Sequence, residues 1–193
     1  RTNNLGNKEK RTKIKMRLFI AIFLPEDVKK EIKNTQEKVR KLELMNARYA
    51  ETDNLHLTLK FLGEVTTQKA DEISKKLSKI KEESFETTIS QAGIFTPSEP
   101  KILWLEMSGA EKLQKKIDET MEEEGFKKEP RFMSHITIAR IKQMNKTYVM
   151  KLLDEMNKKE KEEKFKIKKF SLVESELTPS GPKYKVIKDY KLE

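Results

Sequence analysis

The 193-residue chain has no cysteine and only two histidines. Without cysteine the protein can form no disulfide, thiolate nucleophile or thiolate metal ligand. Two histidines are also fewer than common zinc sites use, although two histidines with carboxylates could still hold a metal. We therefore expect no cofactor, and we keep a metal site of that mixed kind as an alternative.

Long hydrophobic runs are also missing. The longest apolar run extends from Leu18 to Leu24, which suits a strand but is far too short to span a bilayer. The basic segment before it is not followed by a cleavage signal. We expect a cytoplasmic protein without a membrane segment.

Charge is abundant, since charged residues make up 38% of the chain and hydrophobic residues 35%. The apolar residues form periodic blocks, which indicates a globular fold with a charged surface. The net charge of +10 favours a polyanionic partner. Half of that excess falls in residues 1–15, which we expect to be a basic tail, either a disordered arm or residues before the natural start. We expect residues 16–193 to form one bilobal domain.

The periodicity predicts strands alternating with four amphipathic helices. The predicted helices begin near Pro25, Thr67, Ala110 and Asn145. The strand-like runs cover residues 16–24, 55–62, 86–95, 102–107, 134–141, 165–177 and 184–192.

Both histidines begin the same kind of phrase. His56 begins His-Leu-Thr-Leu, and His135 begins His-Ile-Thr-Ile. In a strand, the histidine and the threonine two residues later point to one face. An imidazole exchanges protons near neutral pH, and a threonine hydroxyl can bind an anionic oxygen. The two phrases therefore predict an acid and a base around one phosphate, with Thr58 and Thr137 as its ligands.

A second phrase is also repeated. Residues 96–101 and 178–183 match at five of six places, 82 residues apart, and the histidines lie 79 residues apart. Similar offsets are expected of a duplication. We predict an α+β fold with two duplicated lobes, each an antiparallel sheet with helices on its outer face. A pseudo-twofold axis would bring the two histidine strands to a central cleft.

From Met16 onward the chain resembles the two-histidine (2H) phosphoesterase superfamily, and within it the LigT-like RNA 2',3'-cyclic phosphodiesterases, also called 2'-5' RNA ligases. The matching phrases are MRLFIAI from Met16, NLHLTLKFLGEV from Asn54, HITIAR from His135 and LTPSGPKY from Leu177. Ser134 stands where the family usually has proline, which should affect local stiffness more than chemistry.

The resemblance implies hydrolysis of a terminal 2',3'-cyclic phosphate on RNA to a 2'-phosphomonoester, without a metal. It implies that His56 is the proton donor and His135 the proton acceptor, roles that the symmetric phrases alone leave open. It also implies that Arg140 binds the phosphate. Strict alternation, however, puts Arg140 on the face opposite His135 unless the strand ends or bulges there.

Three other residues are weaker candidates. Alternation puts Lys60 on the His56 face, where it could equally be a surface lysine. Phe19 could stack on the terminal base, although core packing explains it better. Tyr184 could help to close the cleft.

The sequence is compatible with several functions. The substrate could be RNA ended by a cyclic phosphate, including tRNA fragments, and the protein would act as a monomer away from membranes. The same chemistry could cleave another phosphodiester or join tRNA halves by a 2'-5' bond. In a different class, the protein could be a noncatalytic RNA-binding module.

Overall fold

A computed structural model of the chain describes residues 15–158, 164–179 and 181–193. The predicted basic tail thus lies outside the described residues, except for Lys15, which begins the first strand. No helix of the described residues is long and apolar enough to cross a membrane.

Nine strands and four α-helices make up the described fold. The strands are β1 Lys15–Phe23, β2 Met45–Tyr49, β3 His56–Thr66, β4 Phe85–Ile94, β5 Ile102–Met107, β6 His135–Met144, β7 Lys164–Ile167, β8 Lys169–Thr178 and β9 Gly181–Lys191. The helices are α1 Glu26–Lys41, α2 Thr67–Leu77, α3 Glu111–Glu122 and α4 Val149–Met156.

The strands follow the order β7-β4-β5-β6-β3-β1-β8-β9, and β2 pairs with β6. The described strand pairs are all antiparallel. On one side of the β6–β3 contact, β6 is followed by β5, β4 and β7, and on the other side β3 is followed by β1, β8 and β9. The predicted α+β architecture of two related lobes is confirmed.

The sheet has two unlike faces. The main core contains Leu18, Ile20 and Ile22 from one face of β1, together with buried residues from all four helices. The other face of β1 carries Phe19 and Ala21, which form a small separate apolar cluster with Val173. The helices therefore cover one face, and the opposite face is left for the site.

A bulge interrupts each histidine strand at the same distance from its histidine. In β3, Ala21 pairs with Thr58 but Ile20 pairs with Lys60, so Leu59 is an extra residue. In β6, the pairing with β5 moves from Thr137 to Ala139, so Ile138 is extra. A bulge of one residue reverses the alternation of side chains beyond it.

The bulge in β3 makes the expected face of Lys60 wrong. Lys60 lies on the helix-covered side, 6% exposed, and its ammonium forms a buried ion pair with Asp118 of α3. The same ammonium donates to the carbonyl oxygen of Lys127, 2.5 Å away. Lys60 thus joins β3 to α3 and to the segment that leads into β6.

The sequence reading differs from the structure in two further places. Strand β2 was not predicted, because it is short and polar and is held by pairing with β6. The predicted strand over 165–177 is two strands that break at Lys168, since β7 pairs with β4 in one lobe and β8 pairs with β1 in the other.

Candidate active site

The two imidazoles are oriented by the same backbone contact. His56 Nδ1 lies 2.6 Å from the carbonyl oxygen of Asn54, and His135 Nδ1 lies 2.7 Å from that of Met133. A carbonyl oxygen only accepts, so each Nδ1 carries the hydrogen and donates it. In each neutral ring, Nε2 therefore carries no hydrogen and is the atom that can take up a proton.

The register between β3 and β6 brings the two motifs together. Leu57 pairs with Ile136, the residue after each histidine. Continuing this antiparallel register places His56 opposite Thr137 and Thr58 opposite His135. The structure thus places four predicted residues, His56, Thr58, His135 and Thr137, on one face at the centre of the sheet.

Aromatic rings enclose His56. Its ring centroid lies 5.1 Å from that of Phe19, 5.7 Å from that of Phe23 and 5.1 Å from that of Tyr184. Burial lowers the pKa of His56, and the hydrogen bond to Asn54 opposes that shift. The charges of His135 and Arg140 lower the pKa of His56 further.

The structure places Tyr184, which the sequence offered as a residue that could help to close the cleft, beside His56. Its ring packs edge-on against both His56 and Phe19. Burial raises the pKa of the Tyr184 phenol, and the nearby cations Arg140 and Arg17 partly oppose the shift. A neutral phenol therefore borders the imidazole.

The surroundings of His135 are more open. Its ring meets Phe95 edge-on at 4.9 Å between centroids, and Trp104 lies 6.5 Å away. Trp104 pairs with Thr137 and lies over Gly93, where a Cβ atom would collide with the indole ring. The rings of Phe95 and Trp104 therefore border the site on the His135 side.

Thr58 already contacts its own histidine. The Thr58 hydroxyl lies 3.1 Å from His56 Nε2 and donates to it when the ring is neutral. The hydroxyl is therefore within reach of any oxygen that binds at this nitrogen.

The bulge in β6 also determines the face to which Arg140 points. It lies five residues after His135, and the reversed alternation returns it to the histidine face. Its charge acts on both His56 and Tyr184, which lie across the cleft. Within residues 15–158, 164–179 and 181–193, no carboxylate forms an ion pair with Arg140.

A second arginine was missed by the sequence reading. Arg48 pairs directly with Arg140, so the two side chains share a face. The Arg48 guanidinium fills the space that a side chain at Gly181 would need. Because Arg48 lies on the unpredicted strand β2, no motif pointed to it.

The candidate site combines two imidazoles, two hydroxyls and two guanidiniums. Among the residues that the structure describes, no group of three or more histidines and carboxylates could hold a metal ion. The arrangement can bind an anion between the lobes and exchange protons with it from two nitrogens.

Comparison with known proteins decides the family. The family model for LigT-like phosphoesterases matches residues 22–104 and 106–184, and each range contains one histidine motif. The chain belongs to the LigT-like phosphoesterase family. The resemblance seen in the sequence is confirmed, and the protein is a phosphodiesterase.

Relatives of this LigT-like phosphoesterase align with most of its length. A Methanocaldococcus jannaschii protein named RNA 2',3'-cyclic phosphodiesterase is 35% identical over 91% of this chain and 100% of its own length. A Thermotoga maritima protein of the same name is 35% identical over 92% of this chain and 96% of its own.

Solved structures agree with this assignment. Apo Escherichia coli LigT superposes with a TM-score of 0.73 and 26% identity, covering 92% of this chain and 98% of that one. LigT complexed with 3'-AMP gives the same TM-score and identity, covering 93% of this chain and 99% of that one.

Proposed function

We propose that this phosphoesterase hydrolyses the 2',3'-cyclic phosphate at the end of an RNA to a 2'-phosphomonoester. The observation that carries the proposal is the matched orientation of the two imidazoles, each donating from Nδ1 to a backbone carbonyl. Both Nε2 atoms are thereby available to one phosphate. The names of the M. jannaschii and T. maritima relatives supply the substrate class.

In the proposed reaction, water attacks phosphorus while His135 Nε2 accepts a proton from the water. The bond from phosphorus to the 3' oxygen breaks, and protonated His56 donates its Nε2 proton to that oxygen. The phosphate remains on the 2' oxygen. Proton exchange with solvent then restores both rings, so the cycle needs neither a metal nor a covalent intermediate.

The hydroxyls and guanidiniums would stabilise the charge that grows on the nonbridging oxygens. Thr58 and Thr137 lie next to the opposite histidine in the register, so each can donate to an oxygen held between the rings. Arg140 can make two parallel hydrogen bonds to phosphate, and Arg48 adds positive charge beside it.

The low pKa of His56 has a consequence for this scheme. The free site favours a neutral His56, whereas the proposed donor must be protonated. A phosphate bound beside the ring favours the protonated form, because an opposite charge nearby stabilises the cation. Substrate and proton would therefore bind to His56 together.

Product identification tests the proposal. A 5'-labelled RNA ended by a 2',3'-cyclic phosphate is incubated with the protein in chelator, with a 5'-hydroxyl RNA present in a parallel reaction. We expect a 2'-phosphate end in both. A 3'-phosphate end, a 2'-5' joined product as the main outcome, or activity only after metal addition would contradict the proposal.

A further inference from the structure

Asn54 contacts His56 and the β8–β9 hairpin at the same time. Its carbonyl oxygen accepts the hydrogen bond from His56 Nδ1 at 2.6 Å. Its side-chain amide nitrogen lies 3.2 Å from the carbonyl oxygen of Pro182, near the start of β9. A carbonyl oxygen only accepts, so the amide nitrogen donates this bond. One residue thus joins the imidazole to a strand from the end of the chain.

The end of the β8–β9 hairpin lies beyond the pairing that holds β8 in the sheet. The pairing of β8 with β1 runs from Ser171 to Glu174. Tyr184 pairs with Ser175, one residue past that stretch. The Tyr184 ring nevertheless packs against His56, with 5.1 Å between the centroids. Contacts other than the pairing of β8 with β1 must therefore hold Tyr184 over the site.

Two side chains that precede β3 supply such contacts. Asn54 binds the carbonyl oxygen of Pro182, two residues before Tyr184. The Arg48 guanidinium lies against Gly181, where φ is +124° and a Cβ atom would collide with it. The Asn54 bond is directional and shares its residue with the bond that orients the imidazole. It therefore couples the position of β9 to that of the ring.

The matching position before His135 has different chemistry. Met133 supplies the carbonyl oxygen for His135 Nδ1, but its thioether has no hydrogen bond to donate. The Met133 side chain is also 40% exposed. The two histidine phrases are alike, yet the residue two places before each histidine carries a donor amide only in the phrase of His56.

We infer that Asn54 is a positioning residue: its side-chain amide, by binding the start of β9, holds Tyr184 against His56. The inference deepens the proposed function, on which its kinetic part rests. Without the amide, the hairpin end moves away and water reaches the imidazole. The pKa of His56 then rises, because its burial decreases while the charges of His135 and Arg140 remain.

Asn54→Ala removes the amide and keeps the backbone carbonyl that orients His56. In NMR of the free protein, we expect a higher His56 pKa and displaced ring signals, since the Tyr184 ring no longer lies beside them. Asn54→Ser, whose hydroxyl is too short to reach β9, should do the same and replaces an alanine variant that does not fold. The matched control is Asn157→Ala, because the Asn157 amide also donates to a strand carbonyl, that of Ala92. This control should lower stability without moving the His56 signals.

A double-mutant cycle tests whether Asn54 acts through Tyr184. We expect Asn54→Ala and Tyr184→Ala each to lower kcat on cyclic-phosphate-ended RNA roughly tenfold. The double variant should be no slower than Tyr184→Ala, and the His56 pKa should follow the same pattern.

Unchanged His56 signals in the folded Asn54 variants would overturn the inference, and so would losses that multiply in the double variant. The NMR measurement needs no turnover. Unmoved signals therefore count against the role of Asn54, whereas a wild-type protein that does not hydrolyse the RNA counts against the proposed function.

Discussion

Leu57 pairs with Ile136, and this pair joins the two histidine strands at the centre of the sheet. Both side chains are fully buried on the helix side, so their neighbours His56, Thr58, His135 and Thr137 point to the opposite face. This one backbone pairing therefore sets the spacing of the polar groups in the site.

The hydroxyls placed by this contact should matter through their hydrogen bonds. Thr58→Val or Thr137→Val keeps the shape of the side chain but removes a donor to the phosphate. We expect kcat on cyclic-phosphate-ended RNA to fall by about 10²-fold for either change, with partial recovery in Thr58→Ser or Thr137→Ser. Valine variants as active as wild type would show that the threonines serve only as strand residues.

Removing Arg140 should weaken substrate binding. Because its guanidinium faces the site without a carboxylate partner in the described chain, we expect Arg140→Ala to raise KM roughly tenfold. The control is Arg40→Ala, since Arg40 lies on α1 over the Tyr49 ring. Equal KM values for Arg140→Ala and wild type would remove Arg140 from the phosphate site.

The pKa of His56 can be read directly, because the chain has only two imidazoles. We expect NMR titration to give His56 a pKa below the ordinary value of about 6.5, since burial disfavours the cation. His135→Ala removes the other imidazole signal and assigns this one. Adding a 2'-nucleoside monophosphate should raise the His56 pKa, and an unchanged or lower value would contradict the proposed uptake of a proton.

The lowered pKa of His56 also makes the free energy of unfolding depend on pH. The folded state holds His56 in its neutral form, so this contribution is complete above the unfolded pKa of about 6.5 and is lost as pH falls through the lower folded pKa. Urea unfolding of wild type and His56→Gln at several pH values measures it. The difference in unfolding free energy should shrink on the acid side, and a difference independent of pH would contradict the shift.

Removing only one partner of the buried ion pair between Lys60 and Asp118 should destabilise the fold. Lys60→Met leaves the Asp118 carboxylate buried without its cation, so we expect a loss of about 3–5 kcal/mol in the free energy of unfolding. The double variant Lys60→Met, Asp118→Leu should recover most of that loss, because no charge is left unpaired. Urea unfolding measures both, and a single variant as stable as wild type would contradict the pairing.

The face of each histidine and threonine could be predicted, because alternation holds over the short distance between them. Alternation failed beyond the bulges, where Lys60 turned out to be buried and Arg140 returned to the site. A bulge leaves little mark on sequence here, since Leu59 and Ile138 are ordinary strand residues.

Contacts between distant parts of the chain were beyond prediction. Arg48 reaches the site because β2 pairs with β6, which brings it beside Arg140, 92 residues later in the sequence. The enclosure of His56 likewise depends on Tyr184, brought by β9 from the end of the chain. A local sequence pattern predicts which face a side chain takes but not which distant strand lies beside it.

Single-turnover hydrolysis by the histidine variants tests the central claim most directly. His56→Ala and His135→Ala are mixed in excess with RNA ended by a 2',3'-cyclic phosphate, and binding of the RNA is measured alongside. We predict that either change slows hydrolysis by at least about 10²–10⁴-fold while binding weakens only modestly. Hydrolysis at the wild-type rate in either variant would contradict an acid and a base placed around one phosphate.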